Sequence, residues 1–263
     1  MKIGFWGSMH GQTGMTSNIM AASILMCAKY QRKTAVLQTH FSMNNLSYPL
    51  IGVMDGSESF RDTGIDALLR DYKSRPLTEE IILSDSVSLL GKQYSLFLGT
   101  ANRNKDFYEK EMLASFNAIV DEIEKYNDYV FIDISSGYGK LSKKIAQHTD
   151  VLVINLSQNK QVIEGCIEDY PEHDNIMFVF GNYDCNSKYN IRNLTKLYPE
   201  LKHKCYCVYH NAGFMDAQNE GKTTEFIMKN RDCSELSDNY DFIYSVQEII
   251  EELKRKGDEL ADN

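Results

Sequence analysis

Short apolar runs alternate with longer amphipathic segments along this chain of 263 residues. Several runs are continuously apolar and rich in β-branched or aromatic residues, which is typical of strands covered on both faces of a sheet. The predicted strands are residues 2–6, 34–38, 87–91, 94–99, 129–134, 151–156, 176–182 and 205–209. The third and fourth lie close enough in sequence to form a hairpin at one edge of the sheet.

Apolar residues at helical spacing fill most of the intervals between these strands. The clearest stripe lies within residues 105–125 and consists of Met112, Phe116, Ile119, Val120 and Ile123. The other predicted helices are residues 16–30, 65–72, 138–147, 190–198, 223–229 and 241–260, with Asn190 as a plausible N-cap. Strands that alternate with helices predict an α/β fold, a three-layer, doubly wound and mostly parallel sheet with helices on both faces.

The composition fits one globular domain over residues 1–263, because 43% of the chain is hydrophobic and no linker-like stretch is evident. The net charge of −9 argues against general nucleic-acid binding, which needs clustered Lys and Arg. We find no secretory signal pattern and no apolar run near the roughly 20 residues that span a bilayer. The C-terminal amphipathic segment is rich in acids, which anionic lipid would repel. We therefore expect a cytoplasmic protein without direct membrane insertion.

The segment GSMHGQTGMTSN, residues 7–18, follows the first predicted strand and leads into the first helix. Parallel α/β sheets bind ligands at this place. Gly11 and Gly14 allow a tight turn that presents N–H groups to an anion, and Thr16 and Ser17 open a helix whose positive end would face a phosphate. A hydroxyl at the position of Thr16 is the group that P-loop proteins place on Mg²⁺. Two glycines alone equally suit a tight connection, so the loop by itself leaves phosphate binding open.

The stretch HGQTGMT, residues 10–16, resembles a degenerate form of the deviant Walker A motif, K-G-G-x-G-K-T, of the MinD/ParA/CpaE family of P-loop ATPases (SIMIBI class). The stretch DYVFIDISSGYGK is similar to the second switch of that family, with Asp133 and Gly137 in its D-x-x-x-G. A later strand ends at Asn182, as in the strand whose asparagine reads adenine. The segment around Gly221 and Lys222 resembles the one that closes over the base.

These matches occur in the family's order and extend over about residues 1–228. The stretch SKYNIRNL also resembles CpaE/TadZ-type proteins of pilus and secretion machines. The resemblance implies a homodimer that binds ATP or ADP with Mg²⁺ and acts with a protein partner as a positioning or assembly factor. It implies that Thr16 binds the metal, Asp133 holds the metal's water shell, and Asn182 reads adenine. The implied phosphate-binding residues are Gly11, Gln12, Thr13, Gly14, Met15, Thr16 and Ser17.

The departures from the family pattern fall on the catalytic positions. His10 replaces the lysine that reaches across the dimer, Gln12 replaces the second glycine, and Met15 replaces the P-loop lysine. Thr39 or Phe41 stands where the first-switch aspartate is expected. Loss of one hydrogen bond to a charged group, about 1.5–3 kcal/mol, weakens phosphate binding by about one to two decades. A trans-acting cation contributes about 10³–10⁵ to the rate of phosphoryl transfer.

We therefore predict nucleotide binding with weak or absent hydrolysis. The alternative is a pseudo-ATPase scaffold that binds no nucleotide; an active ATP-dependent ligase is disfavoured by the missing lysine. Residues 42–59 form a long irregular loop, either a switch or a partner surface. Lys188, Arg192 and Lys196 form a basic patch that is either a docking site or, as we favour, a solvated helix face. Cys205 and Cys207 are interpreted as buried thiols rather than half of a metal site.

Overall fold

The computed structural model describes residues 1–41, 45–53 and 62–261. Within these ranges eight strands form one sheet, in the order β3-β4-β2-β5-β1-β6-β7-β8. The strands are β1 (Lys2–Trp6), β2 (Thr34–Gln38), β3 (Val87–Leu89), β4 (Tyr94–Phe97), β5 (Tyr129–Asp133), β6 (Val151–Leu156), β7 (Ile176–Tyr183) and β8 (Cys205–Tyr209). All neighbouring pairs are parallel except β3 and β4, which form the antiparallel hairpin predicted at one edge.

The helices of the described ranges are α1 (Met15–Tyr30), α2 (Ser47–Ile51), α3 (Ile65–Ser74), α4 (Glu79–Ser84), α5 (Lys105–Glu124), α6 (Lys140–Gln147), α7 (Lys160–Glu168), α8 (Ile191–Leu197), α9 (Ala212–Asn219), α10 (Thr223–Asn230) and α11 (Tyr240–Ala261). The seven predicted helices are present within about two residues at each end. Asn190 caps α8 as predicted, since its side chain accepts a hydrogen bond from the Asn193 N–H at 3.1 Å. None of the described helices is both long enough and apolar enough to cross a bilayer.

Four short helices, α2, α4, α7 and α9, were not predicted. They contain between five and nine residues, so an apolar period of 3.6 repeats too few times to be recognised. Three of them begin with a side-chain cap, at Thr78, Asn159 and Asn211. A cap and packing against the sheet stabilise helices of this length where intrinsic propensity does not.

Apolar clusters cover both faces of the sheet, which confirms the three-layer, doubly wound fold. On one face Phe116 of α5 and Ile163 of α7 are buried with Trp6 of β1. On the other face Phe5 of β1 is buried with Ile24 of α1 and with residues of α10 and α11. Strand β1 lies between β5 and β6, in the interior of the sheet. The loop that follows Trp6 therefore starts at the carboxyl end of a central strand, where parallel α/β sheets bind ligands.

Asp85, which follows α4, is a buried carboxyl group whose titration affects the stability of this fold. It is 3% exposed, and its Oδ2 has no hydrogen-bond partner in the part of the chain that the structure describes. Burial, together with the nearby charge of Asp71, raises the pKa of Asp85 from the ordinary 3.8 to about 6. The folded protein therefore keeps this proton between about pH 4 and 6 while the unfolded chain releases it, so stability falls as the pH rises through that window.

The Asp85→Asn variant is expected to raise the free energy of unfolding by about 1–2 kcal/mol at pH 7.5 and to have little effect at pH 4. Asparagine keeps the shape of the side chain and removes the charge whose burial is unfavourable. Urea unfolding at the two pH values measures the difference. Glu80→Gln, at an exposed carboxylate of α4, is the matched control and should show no such pH dependence. An equal effect of Asp85→Asn at both pH values would contradict the raised pKa.

Candidate functional site

The loop between β1 and α1 is shaped by two glycines in the left-handed region, Gly11 at φ 72° and Gly14 at φ 67°. Residues with a Cβ rarely adopt this conformation. Helix α1 begins directly after Gly14, with no side-chain cap and no acidic residue in its first turn. The first N–H groups of a helix have no partner inside the helix, so those of α1 can donate to an anion.

The loop is seated on an irregularity in β7. The register of β7 against β8 shifts between Phe180 and Tyr183, and Asn182 adopts φ 49° there. A Cβ on Gly181 would overlap the carbonyl oxygen of Thr13, so the loop can approach β7 this closely only because residue 181 is glycine. The side-chain nitrogen of Asn182 lies 3.5 Å from where a Cβ on Gly14 would be. The strand therefore presents Asn182 beside the turn that opens α1.

A cavity of about 430 Å³, the loop cavity, lies over this turn. It brings together the predicted residues Gly11, Thr13, Gly14, Met15, Thr16, Ser17 and Asn182, and also His10. Gln12 is exposed and does not line it. The Met15 side chain is only 6% exposed and packs in the apolar cluster beneath α1. The loop cavity is thus lined by the turn and by both polar and apolar side chains, and residue 15 adds no charge to it.

The loop cavity is closed by two short helices that the sequence did not predict. Tyr48 and Pro49 of α2 line one part of it, and Gln218 and Asn219 of α9 line another. The Ser17 hydroxyl donates to Gln218 Oε1 at 3.3 Å, and the buried Gln218 Nε2 has no partner among the described residues. This arrangement leaves one side-chain amide donor of α9 unsatisfied beside the loop cavity.

The segment around Gly221, which resembles the family's segment that closes over the base, contacts α2 through Gly221. Gly221 adopts φ 70°, and a Cβ there would press on the backbone of Tyr48 and Gly52. Lys222 is exposed and pairs with Glu220 at 2.8 Å, and it is absent from the residues that line the loop cavity. Of residues 42–59, those numbered 42–44 and 54–59 lie outside the described ranges, and the described part holds α2.

Two buried asparagines support the loop from below. Asn18 of α1 donates to the Asn155 side-chain oxygen at 2.9 Å, and Asn155 of β6 donates to the carbonyl oxygen of Trp6 at 3.2 Å. Both are 2% exposed or less. Buried amides are retained when their hydrogen bonds are satisfied, so this chain of bonds fixes the start of α1 against β1 and β6. An asparagine inside the apolar run VLVINL was the signal for it in the sequence.

The D-x-x-x-G segment is attached to the beginning of the loop. The N–H of Gly137 donates to the Gly7 carbonyl at 3.0 Å, and Trp6 Nε1 donates to the Gly137 carbonyl at 2.9 Å. Tyr138 meets the Trp6 ring edge-on, with ring centroids 5.5 Å apart. A displacement of this segment is thereby coupled directly to the loop.

Asp133 is fully buried at the end of β5, and the structure places a residue beside it that the sequence did not indicate. Its Oδ1 lies 3.3 Å from His40 Nε2, and its buried Oδ2 has no hydrogen-bond partner among the described residues. Thr39, one of the two residues expected at the first-switch position, donates its hydroxyl to the Asp133 backbone carbonyl at 2.9 Å. Phe41, the other, packs against Tyr108 with ring centroids 5.8 Å apart. His40, between them, is therefore the side chain that faces the Asp133 carboxylate.

No group of three or more His, Cys, Asp or Glu side chains in the described ranges is arranged to hold a metal ion. A metal ion at Thr16 and Asp133 would thus need ligand oxygens and water as well. Burial raises the pKa of the Cys205 and Cys207 thiols to about 12 each, which keeps them protonated at neutral pH.

The basic patch lies outside the loop cavity. Arg192 and Lys196 are exposed on α8, while Lys188 precedes the helix and its ammonium lies 5.3 Å from the centre of the Tyr189 ring. None of the three lines the loop cavity.

No protein-family model matches the chain, and no curated protein is similar to it in sequence. Solved structures are similar in fold. A ParA family ATPase from Chlorobium tepidum superposes with a TM-score of 0.72 at 11% identity, over 95% of this chain and 98% of that one. The septum site-determining protein MinD of Pyrococcus horikoshii, complexed with Mg-ADP, gives 0.66 at 15% identity over 96% of each chain. A plasmid partition protein of Borrelia burgdorferi bound to AMPPNP gives 0.65 at 13% identity, over 97% and 99%. The chain has the fold of the MinD/ParA ATPases.

Proposed function

We propose that this chain is a nucleotide-binding domain that holds ATP or ADP with Mg²⁺ in the loop cavity, hydrolyses ATP weakly or not at all, and acts as a dimeric positioning or assembly factor. The observation that supports this most directly is the loop cavity of about 430 Å³. It is lined by an uncapped helix start, two left-handed glycines and Asn182. Two structures of the same fold are described as complexes with Mg-ADP and with AMPPNP.

The proposed binding roles follow from the positions of the residues. Backbone N–H groups of Gly11, Thr13, Gly14 and Met15 would donate to phosphate oxygens, helped by the positive end of α1. Asn182 would hydrogen-bond the base from the edge of β7, where its left-handed conformation turns it out of the strand. Gln218 Nε2, a buried donor without a partner, would supply a second contact from α9.

The residues present fit a magnesium ion that is bound together with phosphate. A buried carboxylate oxygen without a partner is unfavourable, and Asp133 Oδ2 has none among the described residues. Asp133 lines neither the loop cavity nor the cavity that adjoins it, so a metal-bound water would become its partner once the residues covering it moved aside. Thr16 lines the loop cavity with a hydroxyl that can coordinate the ion. When bound, Mg²⁺ neutralises phosphate charge. Thr16 and Asp133 would hold and orient it.

Weak hydrolysis is proposed because the loop lacks fixed positive charge. Residues 7–18 contain neither lysine nor arginine, and His10 is exposed. Thr39, at the expected first-switch position, directs its hydroxyl to backbone and offers no carboxylate to orient an attacking water. Since phosphoryl transfer is catalysed by positioning and charge stabilisation, these replacements affect hydrolysis more than binding.

The proposed cellular role rests on the resemblance and on the neighbouring folds. MinD of Aquifex aeolicus, whose complex with MinC has been solved, has the same fold with a TM-score of 0.67 at 14% identity, over 97% of this chain and 96% of that one. We propose a homodimer in the cytoplasm that acts with a protein partner, such as a pilus or secretion assembly. The acidic net charge of −9 favours a protein partner over nucleic acid.

Isothermal titration with ATP and ADP, each with and without Mg²⁺, tests the nucleotide site. We expect dissociation constants between about 10 µM and 1 mM, tighter with Mg²⁺. Thr16→Ala should remove most of the dependence on Mg²⁺, whereas Thr195→Ala, at a hydroxyl of α8 that bonds only its own helix, should not. Absence of binding at millimolar nucleotide would favour the scaffold that binds no nucleotide. Rapid phosphate release would contradict the weak hydrolysis.

A further inference from the structure

A second cavity, of about 480 Å³, adjoins the loop cavity and shares His10 and Ser136 with it. We call it the switch cavity, because residues 39–41 after β2 and residues 135–136 after β5 form two of its sides. The start of α5, at Lys105, and the start of α6, from Gly139 to Ser142, form the others. A ligand bound across the loop could thus extend past His10 and Ser136 into the switch cavity.

Two lysines and two histidines form part of the wall of the switch cavity. They are Lys105, Lys140, His10 and His40, and among the described residues Glu109 is the one acidic residue that lines the cavity. Glu109 pairs with Lys105 at 3.6 Å, so their charges largely cancel. Lys140 makes no ion pair with any residue of the described ranges, and its side chain is exposed at the cavity wall. Lys140 is therefore the unpaired cation among the described lining residues, while the buried carboxylate of Asp133 lies behind the wall, 3.3 Å from His40 Nε2.

The backbone around Lys140 also contributes positive electrostatic potential to the switch cavity. It is the first residue of α6, whose N-cap, Gly139, provides no side-chain cap and whose first turn has no acidic residue. A lysine is electrostatically unfavourable at a helix N-terminus unless an anion is present, because both are positive. His40, which is 5% exposed, contributes a buried ring to the wall. Uncapped N–H groups, an unpaired ammonium and a buried imidazole converge on one space.

We propose that the switch cavity receives the terminal phosphate of a nucleoside triphosphate and that Lys140 is the cation that binds it, in place of the lysines absent at His10 and Met15. This inference rests on the proposed function and goes beyond it, because it assigns the preference for triphosphate over diphosphate to a residue outside the loop. The diphosphate contacts the loop and the start of α1, and only the third phosphate reaches α6.

The full-length Lys140→Gln variant tests the assignment by titration with MgATP, MgADP and inorganic tripolyphosphate. Its affinity for MgATP is expected to fall by about 10- to 100-fold, the effect of one charged hydrogen bond, and that for MgADP by less than about threefold. Lys143→Gln removes the same charge from the exposed face of α6, outside the switch cavity, and should change neither. Lys140→Arg should restore most of the preference for MgATP. Thermal melting of each variant establishes that it is folded.

The outcomes separate the two proposals. If the wild type binds both nucleotides and Lys140→Gln leaves the ratio of their affinities unchanged, the role of Lys140 is refuted and the nucleotide site stands. If the wild type binds tripolyphosphate in a Lys140-dependent way but no nucleotide, the anion site stands and the nucleotide proposal fails. If it binds none of the three, both are refuted.

Discussion

Replacement of Met15 by lysine is expected to tighten the binding of MgATP by about 10- to 100-fold, because it returns one charged hydrogen bond to the phosphates. Met15 is the first residue of α1 and lines the loop cavity. Its sulfur lies 3.8 Å from where a Cβ on Gly7 would be, so the side chain extends beneath the start of the loop. Lysine has a similar unbranched stem and can direct its ammonium into the loop cavity.

Titration of Met15→Lys and of the control Met15→Leu with MgATP measures the effect. Leucine conserves apolar volume and should bind nucleotide like the wild type. Because lysine introduces a charge into a half-apolar pocket, Met15→Lys should melt at a lower temperature without ligand and recover when MgATP is added. Unchanged affinity in a folded Met15→Lys variant would show that the loop does not hold phosphates.

The Gly181→Ala variant should lose at least about 30-fold of its affinity for nucleotide while keeping its fold. The new methyl group would overlap the carbonyl oxygen of Thr13, so the loop must move away from β7. Overpacking of this kind costs about 1–3 kcal/mol, and the loop is the side of the contact able to yield. Its N–H groups would then no longer converge on a common point, and Asn182 would lie farther from Gly14.

Titration with MgADP and thermal melting together test this expectation. Gly165→Ala is the matched control: Gly165 lies exposed within α7, and a Cβ there meets no atom within 4 Å. Alanine stabilises a helix by up to about 1 kcal/mol relative to glycine, so the control should melt slightly higher and bind normally. Full affinity in Gly181→Ala would mean that the position of the loop against β7 is unimportant for binding.

The strands could be predicted because each is a short, continuously apolar run. The runs at residues 2–6, 34–38, 151–156 and 205–209 have the predicted bounds, since a strand covered on both faces carries its whole signal in its own residues. The short helices α2 and α9 carry no such signal, yet they supply Tyr48 and Gln218 to the loop cavity. Their position is set by tertiary contacts.

The residues of the candidate site likewise fall into those that local sequence indicates and those that only the fold brings together. The loop can be identified because spacing within a motif is local information, whereas Asn182 is implied by the resemblance of its strand to that of the family. His40 could not be, because its relation to Asp133 depends on the pairing of β2 with β5. Gly181 was also missed, since its need to be glycine arises from the carbonyl of a residue 168 positions earlier, Thr13. Lys140 carries no such local signal either, because only the fold brings the start of α6 next to the loop.

The hydrogen bond between the Trp6 indole and the Gly137 carbonyl makes this part of the protein accessible to fluorescence measurements. Trp6 is the only tryptophan in the sequence, and its indole N–H is held by the carbonyl of the D-x-x-x-G segment, with Tyr138 against the ring. Indole emission responds to the loss of such a hydrogen bond and to the entry of water. The unmodified protein thus carries its single indole fluorophore at the junction of β1, the loop and the segment after β5. Stopped-flow fluorescence can follow that junction in real time without any label.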